Sequence, residues 1–263
     1  MVKIGFILGS GLVDCLDSIL DEGSIVSNGR GSNKFGEFLA YKTGRFNGIE
    51  VVLFPRHGDL NGQPIRSPSE LVRTRGYEAN VWELYSQGVD QVYAFSAVGV
   101  LDDSVSLADQ HSFIVPNDYL RGFAASQHSF GPDAMNVHTP MGEPFNSKLR
   151  QRALDAIRDV PCEGRDGGLY IYNGGDTFES SSEIQALIIL TSTFCGDRLV
   201  GMTTVPELLL CQQMKMPFAA VCSNVNYAQG VSDMVVSHEQ THKVMEVVKI
   251  DIAKIVRKIL EGY

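Results

Sequence analysis

Lys3-Ile4-Gly5-Phe6-Ile7-Leu8-Gly9-Ser10-Gly11 sets the reading of the whole chain. Ile4–Leu8 is a short apolar run of the kind that makes a buried strand, and it passes directly into Gly9-Ser10-Gly11. The same grammar repeats downstream. Short apolar runs alternate with helical patterns from end to end, which favours an α/β domain.

Glu37–Phe46 and Ile49–Phe54 read as strands joined by the hairpin chemistry of Phe46-Asn47-Gly48. Ser67-Pro68-Ser69-Glu70 reads as a capping box with proline at the first helical position. The helix it starts carries Leu71, Val81, Leu84 and Tyr85 towards Gly88, with Gly76 as a break point. Val92–Phe95 is a strand ending in Ser96-Ala97-Val98-Gly99, and His111–Val115 is another, followed by Pro116-Asn117-Asp118. A loop-like region, Arg121–Phe145, precedes a helix over Lys148–Arg158 and a strand at Leu169–Tyr172. Leu199–Met202 and Phe218–Ser223 are further strands, with a helix from about Val205 to Met214 between them. Ser237 opens the last helix, with Gln240 reaching back, and Val244, Val248, Ile252, Ile255 and Ile259 mark its buried stripe. There is no internal repeat, low-complexity tract or Pro/Gly-rich linker, so one domain over 1–263 is expected.

The 263 residues (28.8 kDa) are 44% apolar and 20% charged, ordinary globular usage far from disorder. A net charge of −9 argues against a general polyanion binder, since neutralising phosphates takes a surplus of Lys and Arg. A local anion pocket needs only a few donors. Five scattered cysteines form no C-x-x-C pair, so neither a disulfide framework nor a zinc knuckle is indicated. The first apolar run is too short for a signal peptide, and no stretch of about 18 uncharged apolar residues exists. A cytoplasmic protein with no membrane or nucleic-acid partner is the expectation.

Several strand ends carry chemistry-bearing residues. The amides of Gly9-Ser10-Gly11 and the Ser10 hydroxyl suit an anion, or they form a plain tight turn. Asp14 stands where a dinucleotide fingerprint requires glycine, and no GxxxxGK[ST] occurs. Arg56-His57 follows an apolar strand and suits bidentate phosphate recognition, or is a surface charge. Ser96-Ala97-Val98-Gly99 offers a hydroxyl and close-approach amides, or a small-residue turn. Glu179, beside Phe178, can accept from a ring N–H, or serve as a helix-start acid. Asn226 offers donor and acceptor together, as a lactam edge requires, or is turn chemistry. His128 and His242 read as surface residues, and His111 as structural.

Taken in order, these segments resemble the trimeric purine nucleoside phosphorylase and methylthioadenosine phosphorylase family over nearly the whole chain. Gly201-Met202-Thr203-Thr204-Val205-Pro206-Glu207 is the most specific piece and looks like the family's G-M-[ST]-T-V-P-E signature. Gly9-Ser10-Gly11-Leu12, Pro55-Arg56-His57-Gly58, Tyr77-Glu78-Ala79-Asn80-Val81-Trp82 and Ser96-Ala97-Val98-Gly99 precede it in the family's order. So do the stretch from His138-Thr139-Pro140 to Pro144-Phe145 and the pair Phe178-Glu179; Asn226-Tyr227-Ala228-Gln229-Gly230 follows it.

The resemblance implies a mixed twisted central sheet, partly barrel-like and flanked by helices, in a homotrimer. It implies reversible phosphorolysis of purine nucleosides with inorganic phosphate as co-substrate and no metal or organic cofactor. Phosphate would be held by Ser10, Arg56, His57, Ser96, Ala97 and Thr203. The nucleoside would meet Phe178, Glu179, Met202, Asn226, His238 and, from a neighbouring subunit, His138. Glu179 and Asn226 would carry catalysis by stabilising charge on the leaving purine. In the branch acting on 6-oxopurines such as inosine and guanosine, a Glu accepts from the ring N–H and an Asn bonds the O6/N7 edge. A His meets the 5′-hydroxyl, and Ser237-His238-Glu239 resembles the segment that carries it. The methylthioadenosine branch has an Asp at the position of Asn226, which makes 6-oxopurine nucleosides the expected substrates.

The alternatives are a 5′-methylthioadenosine or 5′-methylthioinosine phosphorylase, or a nucleoside-binding homologue with impaired catalysis. The last is motivated by two departures from the family pattern. Val100 stands where relatives keep a small residue, and Gly175-Asp176-Thr177 replaces Gly-Pro-[SR], adding a carboxylate near the base pocket. The segment 59–75 also looks longer than in the methylthioadenosine branch.

Overall fold

The computed structural model describes residues 2–9, 12, 16–58, 65–108, 111–233 and 235–263. Ser10, and residues 59–64 of the long segment, lie outside the described residues. The strands are β1 (Lys3–Leu8), β2 (Val26–Asn28), β3 (Gly31–Asn33), β4 (Gly36–Phe38), β5 (Tyr41–Phe46), β6 (Ile49–Pro55) and β7 (Gln91–Val100). They continue as β8 (Ser112–Val115), β9 (Asp118–Arg121), β10 (Glu163–Asp166), β11 (Leu169–Tyr172), β12 (Arg198–Gly201) and β13 (Phe218–Tyr227). The helices are α1 (Pro68–Arg73), α2 (Gly76–Ser86), α3 (Ser147–Arg158), α4 (Ser181–Leu190), α5 (Val205–Gln213) and α6 (His238–Glu261).

Eleven strands form one mixed sheet whose main row runs β10-β8-β13-β7-β1-β6-β5-β2. The row forks at β7. Its first half lies parallel to β1, with Ile4 opposite Gln91, and its second half pairs antiparallel with β12, with Val200 opposite Gly99. From β12 the fork continues through β11 to β9. Ten residues let β7 serve both arms.

Strand alternation supplies the layers. Ile4, Phe6 and Leu8 of β1, with Tyr93 and Phe95 of β7, face a core closed by α3 and α6. Val52, Phe54, Ala94 and Val98 point the other way, into a core closed by α2 and α5. Leu187 and Ile184 of α4 cover the fork strands β11 and β12. Local chemistry starts the helices at the predicted Ser67 and Ser237 through the serine half of each box, while the full capping box falls at Ser180, outside the sequence expectations. Ser67 accepts from the Glu70 amide, Ser237 from the Gln240 amide, and Ser180 with Glu183 forms a full capping box.

The predicted helix over 67–88 is two helices. Arg75 adopts φ 55°, and a Cβ at Gly76 would lie 2.7 Å from Leu71 Cδ2, so glycine permits the close turn between α1 and α2. The hairpin at Asn47-Gly48 has positive φ at both residues (49° and 85°), as a type I′ turn requires.

Three expectations need correction. The strand predicted over Glu37–Phe46 splits into β4 and β5, because the Leu39 amide goes to Asn80 Oδ1 of α2. The last sheet strand continues beyond Ser223 to Tyr227, because the second half of β7 gives it a partner, so Asn226 sits on a strand. His128 is buried, not a surface residue. Its ring meets Tyr77 edge-on at 5.2 Å, its Nδ1 lies 3.4 Å from Glu78 Oε1 and its Nε2 lies 2.9 Å from Ser126 Oγ.

Candidate active site

Parallel strands gather their carboxyl ends at one place, the usual position of a ligand crevice in such sheets. Leu8 of β1 stands opposite Pro55 of β6, and the Arg56 amide bonds Leu8 O. A Cβ at Gly9 would lie 3.8 Å from Arg56 Nη1 and 3.7 Å from Phe95 O. The ends of β1, β6 and the middle of β7 therefore meet around one guanidinium.

Arg56 is 2% exposed. Its Nε donates to Glu207 Oε1 at 2.6 Å, its Nη2 to Glu207 Oε2 at 2.8 Å and its Nη1 to Phe95 O at 2.9 Å. Burial by itself disfavours the charged guanidinium, and Glu207 outweighs burial, so the pKa lies above the ordinary arginine value. Of five N–H donors, three are committed within the protein, leaving two for an anion.

Glu207 comes from the first turn of α5, directly after the Gly201–Thr204 turn. In that turn Thr204 holds φ 71° and ψ −53°, the centre of a γ-turn closed by Val205 N to Thr203 O at 2.8 Å, a conformation rare for a β-branched residue and costing about 1–3 kcal/mol. Its hydroxyl lies within hydrogen-bond distance of Ser96 Oγ, which ties the α5 turn to β7. Thr203 is buried beside it. His57 Nδ1 is 2.8 Å from Arg66 O, an acceptor, so that nitrogen carries the proton. Arg66 N returns a bond to His57 O, which pins the segment entering α1.

A buried carboxylate is linked to this turn through Asn173. Glu179 is 8% exposed, and Asn173 Nδ2 donates to its Oε1 at 3.2 Å. Asn173 is itself fixed, because its Oδ1 accepts from Ala124 N and its amide bonds Gly201 O. Burial raises the Glu179 pKa above the usual carboxylate value, only partly offset by the hydrogen bonds it accepts.

Asn226 lies opposite Gly99, where β13 shifts register between Asn224 and Asn226. A Cβ at Gly99 would come 3.1 Å from Asn226 Nδ2, so glycine gives the amide its room. Nδ2 donates to Tyr227 O at 2.8 Å, leaving one N–H and Oδ1 for a ligand. Phe178 is 41% exposed and Met202 half-buried.

Hydrogen bonds and strand pairing bring Arg56, Ser96 and Glu179 together with Asn226 around the Gly201–Thr204 turn. Ala97 follows Ser96 on β7. His138 and His238 are exposed, and no hydrogen bond or ion pair joins either to these groups among the described residues. The Asp176 carboxylate does not stand as an extra charge towards a base. It accepts from Ser67 Oγ and Ser69 N, both at 2.9 Å, at the start of α1. Val100 is fully buried in the core beneath α2 and α5.

Sequence reasoning missed Asn173, Thr204 as a strained tie, and Glu207 as the partner of Arg56. Glu207 lay inside the quoted signature, and an acid in a first helical turn reads as macrodipole chemistry. No local pattern marks Asn173.

The chain matches the Phosphorylase superfamily over residues 3–261 and belongs to that family. Within it, the protein is an enzyme of the nucleoside phosphorylase kind, a pentosyltransferase. It is 31% identical over 271 residues to a protein of Thermococcus kodakarensis named probable 6-oxopurine nucleoside phosphorylase, covering 99% of this chain and 92% of the other. It is 30% identical over 253 residues to one of Methanothermobacter thermautotrophicus named probable S-methyl-5′-thioinosine phosphorylase, covering 96% and 81%. A methylthioadenosine phosphorylase from an antarctic soil metagenomic library superposes with a TM-score of 0.81 at 20% identity, covering 99% of this chain and 85% of the other. At that identity the likeness concerns the fold alone.

Proposed function

We propose that the protein catalyses reversible phosphorolysis of 6-oxopurine nucleosides, inosine or guanosine and their 2′-deoxy forms, to free base and (deoxy)ribose-1-phosphate. The observation that carries this reading is that two buried polar side chains, Glu179 (through Asn173 and Gly201) and Asn226 (through Gly99 and Val200), are joined to the strand that runs into the turn before Glu207, the partner of Arg56. An ionised Glu179 accepts the ring N–H that a 6-oxopurine offers and a 6-aminopurine lacks. Asn226 Nδ2 donates to O6, and its Oδ1 accepts from N7 once N7 takes up a proton as the base leaves. The Asn226 bonds strengthen as the glycosidic bond breaks and negative charge develops on O6 and N7, so they act on the transition state, while Glu179 selects and orients the base.

Phosphate lies on the opposite side of the ribosyl centre, bound by Arg56, His57, Ser96, Ala97, Thr203 and Ser10. Its negative charge stabilises the oxocarbenium-like carbon and supplies the attacking oxygen. The forward step forms the C1–O bond to phosphate and breaks C1–N9, whose electron pair stays on the purine and takes up a proton. Met202 and Phe178 pack against ribose and base, and no metal or organic cofactor takes part.

A second reading is phosphorolysis of 5′-methylthioinosine, favoured by the name of the Methanothermobacter relative and by the exposure of His238, the group expected at a 5′-hydroxyl. Both readings keep the 6-oxopurine. A panel of inosine, guanosine, adenosine and 5′-methylthioinosine, with and without phosphate and read by release of free base, tests them together. Base release at equal kcat/KM from adenosine and inosine overturns the base assignment, and release without phosphate overturns phosphorolysis.

The protein also works as a cytoplasmic homotrimer of purine salvage in this reading, with His138 completing a neighbour's site. Light scattering is expected to give about 86 kDa, three copies of 28.8 kDa. A monomer with full specific activity overturns the shared site.

A further inference from the structure

A second constellation lies away from the nucleoside site, at the edge of the sheet where β8 meets β10. These strands run parallel with Ser112 opposite Glu163, so His111 and Cys162, one residue earlier on each, are brought side by side. The Glu163 amide bonds His111 O at 2.8 Å and fixes that juxtaposition. His111 keeps φ 60°, a positive value that histidine adopts more readily than most side chains. Asp251 reaches the same point from α6. It is 4% exposed although it sits between Val248 and Ile252 on the helix's buried stripe. A carboxylate on an apolar stripe is costly unless it has cationic partners. Here Lys254 Nζ lies 3.1 Å from Oδ1, and His111 Nδ1 lies within hydrogen-bond distance of Oδ2, at 2.6 Å.

A ring nitrogen of His111, the Cys162 sulfur and a carboxylate oxygen of Asp251 all lie within 4.8 Å of one another. Ligands bound at about 2.0–2.3 Å around a tetrahedral ion stand roughly 3.5 Å apart, so small side-chain rotations close this set onto one cation. Nitrogen, thiolate and carboxylate together suit a borderline-soft divalent ion and not Mg²⁺ or Ca²⁺, which take oxygen ligands. The His111 side chain is half exposed, which leaves an entry path and a fourth position for water.

We propose that His111, Cys162 and Asp251 form a Zn²⁺-class site that fastens α6 to the β8–β10 edge. The ion takes the place of the Nδ1 proton that faces Asp251, which moves to Nε2 of the same ring, and of the Cys162 thiol proton, which leaves to solvent. Asp251 lies thirteen residues beyond His238 on α6, about 20 Å along its axis, so the site is separate from that end of the helix.

The test titrates Zn²⁺ into the full chain by calorimetry and Co²⁺ by absorption, for the wild type and for His111→Ala, Cys162→Ser and Cys195→Ser. The expected result is one tight equivalent, a Co²⁺–thiolate charge-transfer band, and a rise in melting temperature with Zn²⁺. His111→Ala and Cys162→Ser are each expected to weaken binding by about tenfold or more and to abolish the Zn²⁺-induced rise. Cys195→Ser, which changes an exposed thiol elsewhere, is expected to behave as wild type. His111→Ala removes a half-exposed side chain and is expected to stay folded, judged by phosphorolysis at the wild-type rate. Equal Zn²⁺ affinity in wild type and His111→Ala, or a Co²⁺ complex without the thiolate band, means that the three residues form an ion pair only and overturns the site.

Discussion

Arg56 and Glu207, 151 positions apart in sequence, form a bidentate, almost fully buried ion pair. The carboxylate occupies one edge of the guanidinium and turns the remaining donors towards the strand ends. Glu207 is thus a positioning residue for the expected phosphate contact. Removing either partner alone leaves a buried charge uncompensated, which costs about 3–5 kcal/mol. Arg56→Ala and Glu207→Ala are both expected to lower the melting temperature and to lose phosphate-dependent turnover. The double variant Arg56→Met/Glu207→Leu is expected to regain stability without regaining turnover. Thermal melts beside phosphate kinetics check this; recovery of activity in the double variant overturns the role of Arg56.

Glu179 is expected to set the acid limb of the inosine pH profile. Its pKa is raised in the folded chain, so accepting the ring N–H requires a pH above the usual carboxylate range. Glu179→Gln is expected to remove that limb together with most kcat/KM. Stability moves the other way. The folded carboxyl binds its proton more tightly than the unfolded one, so stability falls as pH rises from about 4.5, the unfolded value, through the folded pKa. Glu179→Gln is therefore expected to melt higher than wild type at pH 7 and to show no such gain at pH 4.

Asn226→Asp exchanges an amide donor for an acceptor at the purine edge. A 6-amino group then finds a partner and a 6-oxo group loses one. An unmatched buried polar group costs about 1–3 kcal/mol, so the preference for inosine over adenosine is expected to shrink by about tenfold or more. Unchanged kcat/KM ratios in the variant place the base elsewhere.

Asp176 fastens the Gly174–Phe178 segment to the start of α1. Burial works against its charge, but the bonds from Ser69 and Ser67 prevail and hold the pKa below the usual aspartate value. Asp176→Ala is expected to cost about 1 kcal/mol, the worth of a helix cap, and to raise the KM for nucleoside more than it lowers kcat. Steady-state kinetics and a thermal melt read both effects.

The sheet and most helix starts were legible because each rests on a local pattern, whereas Arg56, Ser96, Glu179 and Asn226 each allowed a plain structural reading and were gathered only by the resemblance of the ordered motifs. Apolar runs end in small residues, and capping residues precede helical stripes. What stayed hidden depends on partners distant in sequence. The split at Leu39 needs Asn80, 41 residues away. The burial of His128 needs Tyr77 and Glu78 of α2. Asn173 has no distinguishing neighbours and gains its place only when Gly201 and Ala124 hold it against Glu179. The identity of Asp176 as a cap for another segment required Ser67 and Ser69 beside it.

The register shift between Asn224 and Asn226 has a consequence for how such an enzyme can diversify. One additional residue, Val225, is accommodated without a ladder partner on β7, and the side chains beyond it exchange faces relative to a regular strand. The core-facing pattern of Phe218–Cys222 and the placement of residue 226 are thereby set by separate stretches of backbone. Altering the amide at 226 leaves the interdigitation of the layers untouched, whereas deleting Val225 would rotate Asn226 out of the cleft and unpack Tyr227 in one stroke. If the proposed base contact holds, base preference can change by point substitution at 226 but not by shortening the strand.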